Sequence, residues 1–250
     1  MHNKSVVACL RYFFIFVFIM LLSAHPAYSQ PETIPQGFSV YKKINLSKGG
    51  QLLLLQDSRI NEKLRGSMWG IGGVDLLDEK DRVVFADGPP RRAVLMILDA
   101  KGDVTYDKQL DCILAGLEKI KFYPAGRFSY ILTEDKSIGS GSYAGLVSSF
   151  LEVIKGRPRW LSAKKEKSGK LVKISVMKSL KTDWKVLPSP EGRGKDIYQI
   201  ACRPDTRFEE EFLLIYTRYH FNGKNWIRHE RRENGFWESE NGFPLRTNFP

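Results

Sequence analysis

Apolar and polar residues alternate in short runs along most of this chain, most clearly near the C-terminus. Two β-prone runs, FLLIYTRYHF and KNWIRHERR, flank the dipeptide Asn222-Gly223. Asn-Gly favours a β-hairpin here, because both residues tolerate the positive φ that a two-residue type I′ turn requires. The pattern therefore predicts two antiparallel strands, with Tyr219 directly opposite Trp226.

One face of this predicted hairpin carries polar and aromatic side chains, namely Tyr216, Arg218, His220 and His229. The two-residue turn places His229 opposite Tyr216, four positions from His220. At about 3.3 Å per residue the two histidines are about 13 Å apart, too far to share a metal ion. Two interpretations remain open. The face is either a binding surface or the solvated side of a half-buried sheet.

The same signals recur upstream, as short apolar runs separated by glycine-rich turns. Residues 61–73 are expected to form a loop, and residues 110–120 fit either a short helix or a strand. The chain is therefore predicted to be mainly β, with residues 37–250 forming a single antiparallel domain built of hairpins, sandwich or propeller-like. Strands are predicted at 38–46, 51–56, 82–86, 92–98, 104–106, 127–133, 148–154, 159–163, 171–177, 184–187 and 197–202.

Residues 1–29 have the features of a secretory signal peptide. Lys4 and Arg11 form a positive n-region, an apolar run follows, and Ala27-Tyr28-Ser29 places small residues around a cleavage site. The apolar run is shorter than the ~20 residues of a membrane span, so we expect cleavage and no transmembrane span afterwards. Residues 30–36 are a predicted flexible lead-in. The sequence thus predicts export to the periplasm or the extracellular space.

Two cysteines, Cys112 and Cys202, remain after this cleavage. An even number of cysteines in an exported protein favours a disulfide between them. Two buried free thiols are the alternative, because the sequence does not place the two Cα atoms within bonding range.

Positive charge is concentrated in one part of the chain. The net charge is +11, and about +9 without residues 1–29, while residues 155–195 alone hold 13 basic and three acidic residues. Such a segment is either a binding patch for an anionic partner or a lysine-rich hairpin kept soluble by its charge. Export argues against nucleic acid and favours an anionic envelope component or an acidic protein. The candidate binding residues are Lys164, Lys165, Lys167 and Lys170, with Trp160 and Trp184 nearby.

Catalytic signatures are weak. The sequence has no Cys/His cluster with zinc spacing and no phosphate loop, and it predicts no metal or cofactor site. Hydrolysis of a glycan needs two well-placed carboxylates, and Glu134 with Asp135, at the end of a predicted strand, are the candidates. Adjacent carboxylates at a strand end are also common turn residues.

Two stretches, KSIGSGSYAGLVSSFLEVIKGRPRWL and the tail GFWESENGFPLRTNFP, resemble parts of uncharacterised secreted bacterial proteins. The resemblance implies export and no particular activity. Together, these features favour an exported, non-catalytic binding or envelope-associated protein of unknown ligand. The alternative is a hydrolase that acts on envelope glycans or other polymers.

Overall fold

The structure, a computed structural model, describes residues 33–70, 77–123, 128–137, 142–192, 194–206 and 211–250. The predicted signal peptide lies outside these residues. A compact unit extends from Gln36 to Pro250. As predicted, it is mainly β and built largely of antiparallel hairpins. None of the described helices is both long enough and apolar enough to span a membrane.

Three sheets make up this unit. The first is four-stranded, in the order β1 (Phe38–Asn45), β2 (Gln51–Asp57), β3 (Val94–Leu98) and β4 (Val104–Gln109). The second contains β5 (Ala115–Ile120), β6 (Ser129–Lys136) and β7 (Gly145–Ile154), and two short strands, β8 (Arg157–Trp160) and β11 (Ser175–Lys178), share the far edge of β7.

The third sheet has six strands, namely β9 (Ser162–Lys165), β10 (Leu171–Lys173), β12 (Thr182–Pro188), β13 (Lys195–Pro204), β14 (Phe212–Phe221) and β15 (Trp226–Asn234). Their order in the sheet is β10-β9-β15-β14-β13-β12.

The second sheet forms the middle layer, because both of its faces are covered. Successive strand residues point to opposite faces. Leu132 and Leu151 pack towards the first sheet, and Ile131 and Phe150 pack towards the third. Each fully buried side chain of this size contributes about 1.5–3 kcal/mol. The stacked layers fit the sandwich form of the prediction.

One long hairpin belongs to two layers. The chain leaves the middle sheet at Leu161, between β8 and β9, and returns to it at Ile174, between β10 and β11. The Leu161 amide donates to the Phe150 carbonyl, and the Ile174 amide donates to the Leu161 carbonyl, both at 2.8 Å. Both crossing residues are buried. We call residues 157–178 the bent hairpin.

The C-terminal hairpin forms as predicted, but its register is shifted by two residues. The Asn222 side chain accepts the amides of Lys224 and Asn225 at 3.0 and 2.9 Å, which makes the connection four residues long. Phe221, not Tyr219, therefore lies opposite Trp226. Because side chains alternate between the faces with a period of two, a register shift of two residues leaves every side chain on its predicted face.

The shifted register brings the two histidines closer than expected. His229 lies opposite Arg218 rather than Tyr216, only two positions from His220. The predicted separation of about 13 Å is therefore wrong, since diagonal neighbours in a sheet are about 7–8 Å apart.

Two stretches upstream are helical where the sequence analysis expected a loop and a strand. Helix α1 (Glu62–Met68) begins where the Asn61 side chain accepts the Leu64 amide at 2.9 Å. Leu64 and Met68, one turn apart, are both buried. Helix α2 (Glu79–Arg82) and a 3-10 turn over Val83–Phe85 replace the predicted strand at 82–86. The ambiguous segment 110–120 contains a strand, β5.

The predicted disulfide is not formed. Cys112 and Cys202 are free and buried. Cys112 lies in the core between the first and second sheets, whereas Cys202 packs under the C-terminal tail. The alternative from the sequence, two buried thiols, is the arrangement found.

Candidate functional site

A cleft with an excess of positive charge opens beside strand β15. It encloses about 450 Å³ between the β9–β10 turn and the second half of β15. We call it the basic cleft, and its lining residues are Lys165, Glu166, Lys167, Ser168, Arg228, Glu230, Arg231 and Arg232. It joins the basic segment predicted from the sequence to the C-terminal hairpin.

The unequal lengths of two neighbouring strands create this cleft. β9 runs parallel to β15 for three residue pairs and ends opposite Arg228, at Lys165. The chain then turns back, and the Gly169 amide donates to the Lys165 carbonyl at 2.8 Å. Gly169 has a φ of +65°, a conformation that glycine adopts without strain. β15 continues for six residues beyond Arg228. The cleft therefore lies beside β15, in the space that a longer β9 would occupy.

The lining contains five cationic side chains and two carboxylates, a formal surplus of three positive charges. Glu230 accepts hydrogen bonds from both Arg228 and Arg232 and neutralises part of this charge. Neither Lys165 nor Lys167 has a carboxylate partner in the described part of the chain. These two ammonium groups, beside the arginines, make the cleft attractive to an anion.

A histidine anchors the turn that carries these lysines. His229 Nδ1 lies 3.0 Å from the Glu166 carboxylate. The Glu166 amide also donates to the Arg228 carbonyl at 3.1 Å. Glu166 is thereby tied to β15 through both its side chain and its main chain, which positions the neighbouring lysines over the cleft.

The other residues predicted for the basic segment lie elsewhere. Lys164 and Lys170 are exposed but do not line the cleft. Trp160 packs against the core of the first and second sheets, under the Lys173 ammonium at 3.9 Å. Trp184 meets Phe150 edge-on in the other core, with ring centroids 5.6 Å apart. Neither tryptophan is an exposed stacking platform beside the lysines.

The predicted polar-aromatic face is partly covered. Tyr216 is only 5% exposed, because Phe249 from the C-terminal tail packs edge-on against it at 5.4 Å between ring centroids. Trp237 from the same tail joins this cluster. Tyr216 is therefore a core residue rather than part of an open binding surface or a solvated face.

Arg218 and His220 of that face belong to an ion cluster that was not predicted from the sequence. Arg218 Nε donates to Asp196 at 2.9 Å, and its Nη2 donates to Glu191 at 2.7 Å. His220 Nδ1 lies 3.1 Å from Asp196. Burial opposes ionisation of Glu191, but hydrogen bonds from Arg218 and Ser189 outweigh it and lower the Glu191 pKa to about 2.

Three residues of this cluster could in principle hold a metal ion, since ligand atoms of Glu191, Asp196 and His220 lie within 4.8 Å of one another. The Arg218 guanidinium, however, already bridges the two carboxylates. A divalent ion would have to displace that cation. The arrangement therefore fits an internal ion network that joins β13 to β14.

The carboxylates proposed for hydrolysis do not face each other. Glu134 and Asp135 are consecutive in β6 and point to opposite faces of the sheet. The buried Asp135 carboxylate accepts the amides of Gly70 and Ser137 at 2.7 and 3.1 Å. Its oxygens thus fix a loop to the strand end, as in the turn interpretation.

No protein-family model, curated protein or solved structure matches this chain. The geometry of the basic cleft is therefore the observation on which a function can be based. The charged run in the sequence indicated Lys165 and Lys167 but not the three arginines opposite them. The signal for these was present in HERR, at the end of the C-terminal hairpin, but the strand pairing that unites both groups is not local.

Proposed function

We propose that the chain is an exported binding protein that holds an anionic ligand in the basic cleft. The observation that supports this is the convergence of five cationic side chains, from segments about 60 residues apart, around one cleft. The ligand would carry carboxylate or phosphate groups. An anionic envelope component or an acidic protein fits the compartment that the N-terminal sequence predicts.

The residue types suit this role. Arginine presents a planar fork that binds carboxylate or phosphate through two parallel hydrogen bonds. Lysine adds a mobile point charge, and the Lys165 and Lys167 side chains are not engaged by a carboxylate in the described residues. An anion entering the cleft would thus meet two lysines that do not first have to leave an acidic partner, whereas the three arginines already pair with Glu230 or Glu233.

The test measures binding of the purified chain to fluorescent poly-glutamate, dextran sulfate and neutral dextran at low and high salt. We expect the anionic probes to bind and the neutral one not to. Raising the salt from 50 to 500 mM should weaken binding at least tenfold, because salt screens exposed charges. Release of fragments from a polymer would instead indicate the hydrolase.

A pair of charge reversals locates the site. Lys165→Glu with Lys167→Glu should reduce the affinity for the anionic probes at least tenfold. The matched control is Lys42→Glu with Lys43→Glu, which changes the same net charge at exposed positions of β1. Equal losses in both double variants would show that only the total charge matters, and binding of neither anionic probe would refute the proposal.

A further inference from the structure

Strand β15 has an unpaired edge inside the basic cleft. β14 pairs with one side of β15 as far as Asn234. On the other side, β9 pairs only with Trp226–Arg228. No strand in the described part of the chain pairs with this side of β15 beyond Arg228. The edge therefore continues for about six residues beside a track, in line with β9, that no described strand occupies.

The main-chain groups that face this track can be identified. The Arg228 carbonyl points towards it, since it accepts the Glu166 amide. Main-chain groups of alternate strand residues point to the same edge, so those of Glu230 and Arg232 also face the track. Consistently, the Gly235 amide points the opposite way and donates to Phe212 of β14 at 3.0 Å.

From this edge and the charge around it, we propose that the ligand of the basic cleft is an acidic peptide segment. The segment adds as an extended strand to β15, in line with β9. This inference rests on the proposed function and narrows its ligand class. An extended polypeptide supplies the alternating donors and acceptors that the open edge requires, which a polysaccharide or a lipid head group does not.

The charge around the edge selects the partner. Arginines on both faces of β15, together with Lys165 and Lys167, lie beside the track. Side chains of an added strand would alternate between the same two faces, so an acidic segment meets cations on either face. The β15 strand of a second copy carries three arginines and two glutamates, a net positive charge, so it matches this cleft less well than an acidic segment does. Charged side chains also protect an edge from uncharged strands, so the same residues exclude other partners.

The test compares three forms of a heptapeptide of five glutamates and two threonines, with glutamate at both odd and even positions so that both faces of the strand are acidic. The first is unmodified, the second is N-methylated at two consecutive central amides, and the third has glutamine in place of glutamate. N-methylation at consecutive residues blocks both edges of the peptide and leaves its charge unchanged. We expect it to weaken binding to the intact chain about tenfold or more, because one N–H donor on the binding edge is lost and the methyl group there obstructs the neighbouring main-chain hydrogen bonds. The glutamine peptide should bind at least tenfold more weakly.

Amide hydrogen exchange gives an independent measurement. Bound peptide should slow exchange at the Glu230 and Arg232 amides and leave those of Arg231 and Glu233 unchanged. Equal binding of the methylated peptide, without this protection, would overturn strand addition and leave anion binding intact. If dextran sulfate or anionic phospholipid vesicles bind but none of the peptides does, the ligand is not a peptide, and anion binding in the cleft still holds. If no anionic probe binds, both proposals fail.

Discussion

The Asp57 carboxylate gives the most quantitative prediction about stability. Its side chain is fully buried at the end of β2. It accepts hydrogen bonds from the amide, Nε and Nη2 of Arg59 at 2.7–3.0 Å and from the Arg91 amide at 2.8 Å. Arg59 in turn donates to the carbonyls of Gly88 and Pro89. The carboxylate thus fastens the segment that leads into β3 to the end of β2.

The pKa of Asp57 shows how much its ionised carboxylate contributes to the free energy of folding. Burial alone would raise this pKa, but the hydrogen bonds from Arg59 and Arg91 outweigh it and lower the pKa from 3.8 to about 2. At about 1.36 kcal/mol per pKa unit, the difference corresponds to about 2.5 kcal/mol of folding free energy. Because the folded-state pKa is the lower one, this stabilisation is complete above about pH 4. It is lost as the pH falls towards 2.

Asp57→Asn should therefore lower the free energy of unfolding by about 2.5 kcal/mol at pH 7. The difference in the free energy of unfolding between this variant and the unmodified chain should become smaller as the pH falls from 4 to 2. Urea denaturation followed by tryptophan fluorescence over pH 2–7 measures both quantities. Asp111→Asn is the control, because Asp111 pairs with Arg92 at the surface and should cost at most about 1 kcal/mol. A cost for Asp57→Asn that stays constant from pH 7 to pH 2 would refute the reasoning.

Two further predictions concern the core. Gly145→Ala should destabilise the fold by about 1–3 kcal/mol in urea denaturation, because the added Cβ would clash with the Lys178 carbonyl oxygen of β11. An unchanged denaturation midpoint would contradict this packing. In the chain without residues 1–29, which also removes Cys9, the Cys112 and Cys202 thiols should not react with a thiol reagent in the folded state at pH 8. Both should react in denaturant, since both are buried and burial raises the Cys112 pKa to about 12. Fast reaction of folded protein, or fewer than two thiols after denaturation without reductant, would contradict this.

Local patterns predicted the β class and most strands, because alternation and glycine turns act over a few residues. The C-terminal hairpin shows the limit of prediction from local patterns. Asn222-Gly223 indicated the turn, but the Asn222 side chain binds two further amides and lengthens it. The faces of both strands were nevertheless assigned correctly, since a shift of two residues preserves side-chain direction.

The basic cleft and the ion cluster depend on non-local pairing. The lysines after β9 were recognisable as a charged run, but their position depends on the parallel pairing of Lys165 with Arg228. Likewise, Arg218 meets Asp196 only because β13 lies next to β14. Helix α1 was missed for a different reason. A seven-residue helix gives too short a periodic pattern to be recognised, even with an asparagine at its N-cap.

The bent hairpin has a consequence for how the cleft can respond to a ligand. Its tip is the turn that carries Lys167, whereas its base pairs with β7 in the middle layer. The base of the hairpin is therefore fixed in the middle layer, and this restricts the movement of its tip. A wall held in this way cannot readily reshape itself around different ligands. It favours a partner whose dimensions already fit, and little conformational freedom is left to lose when that partner arrives.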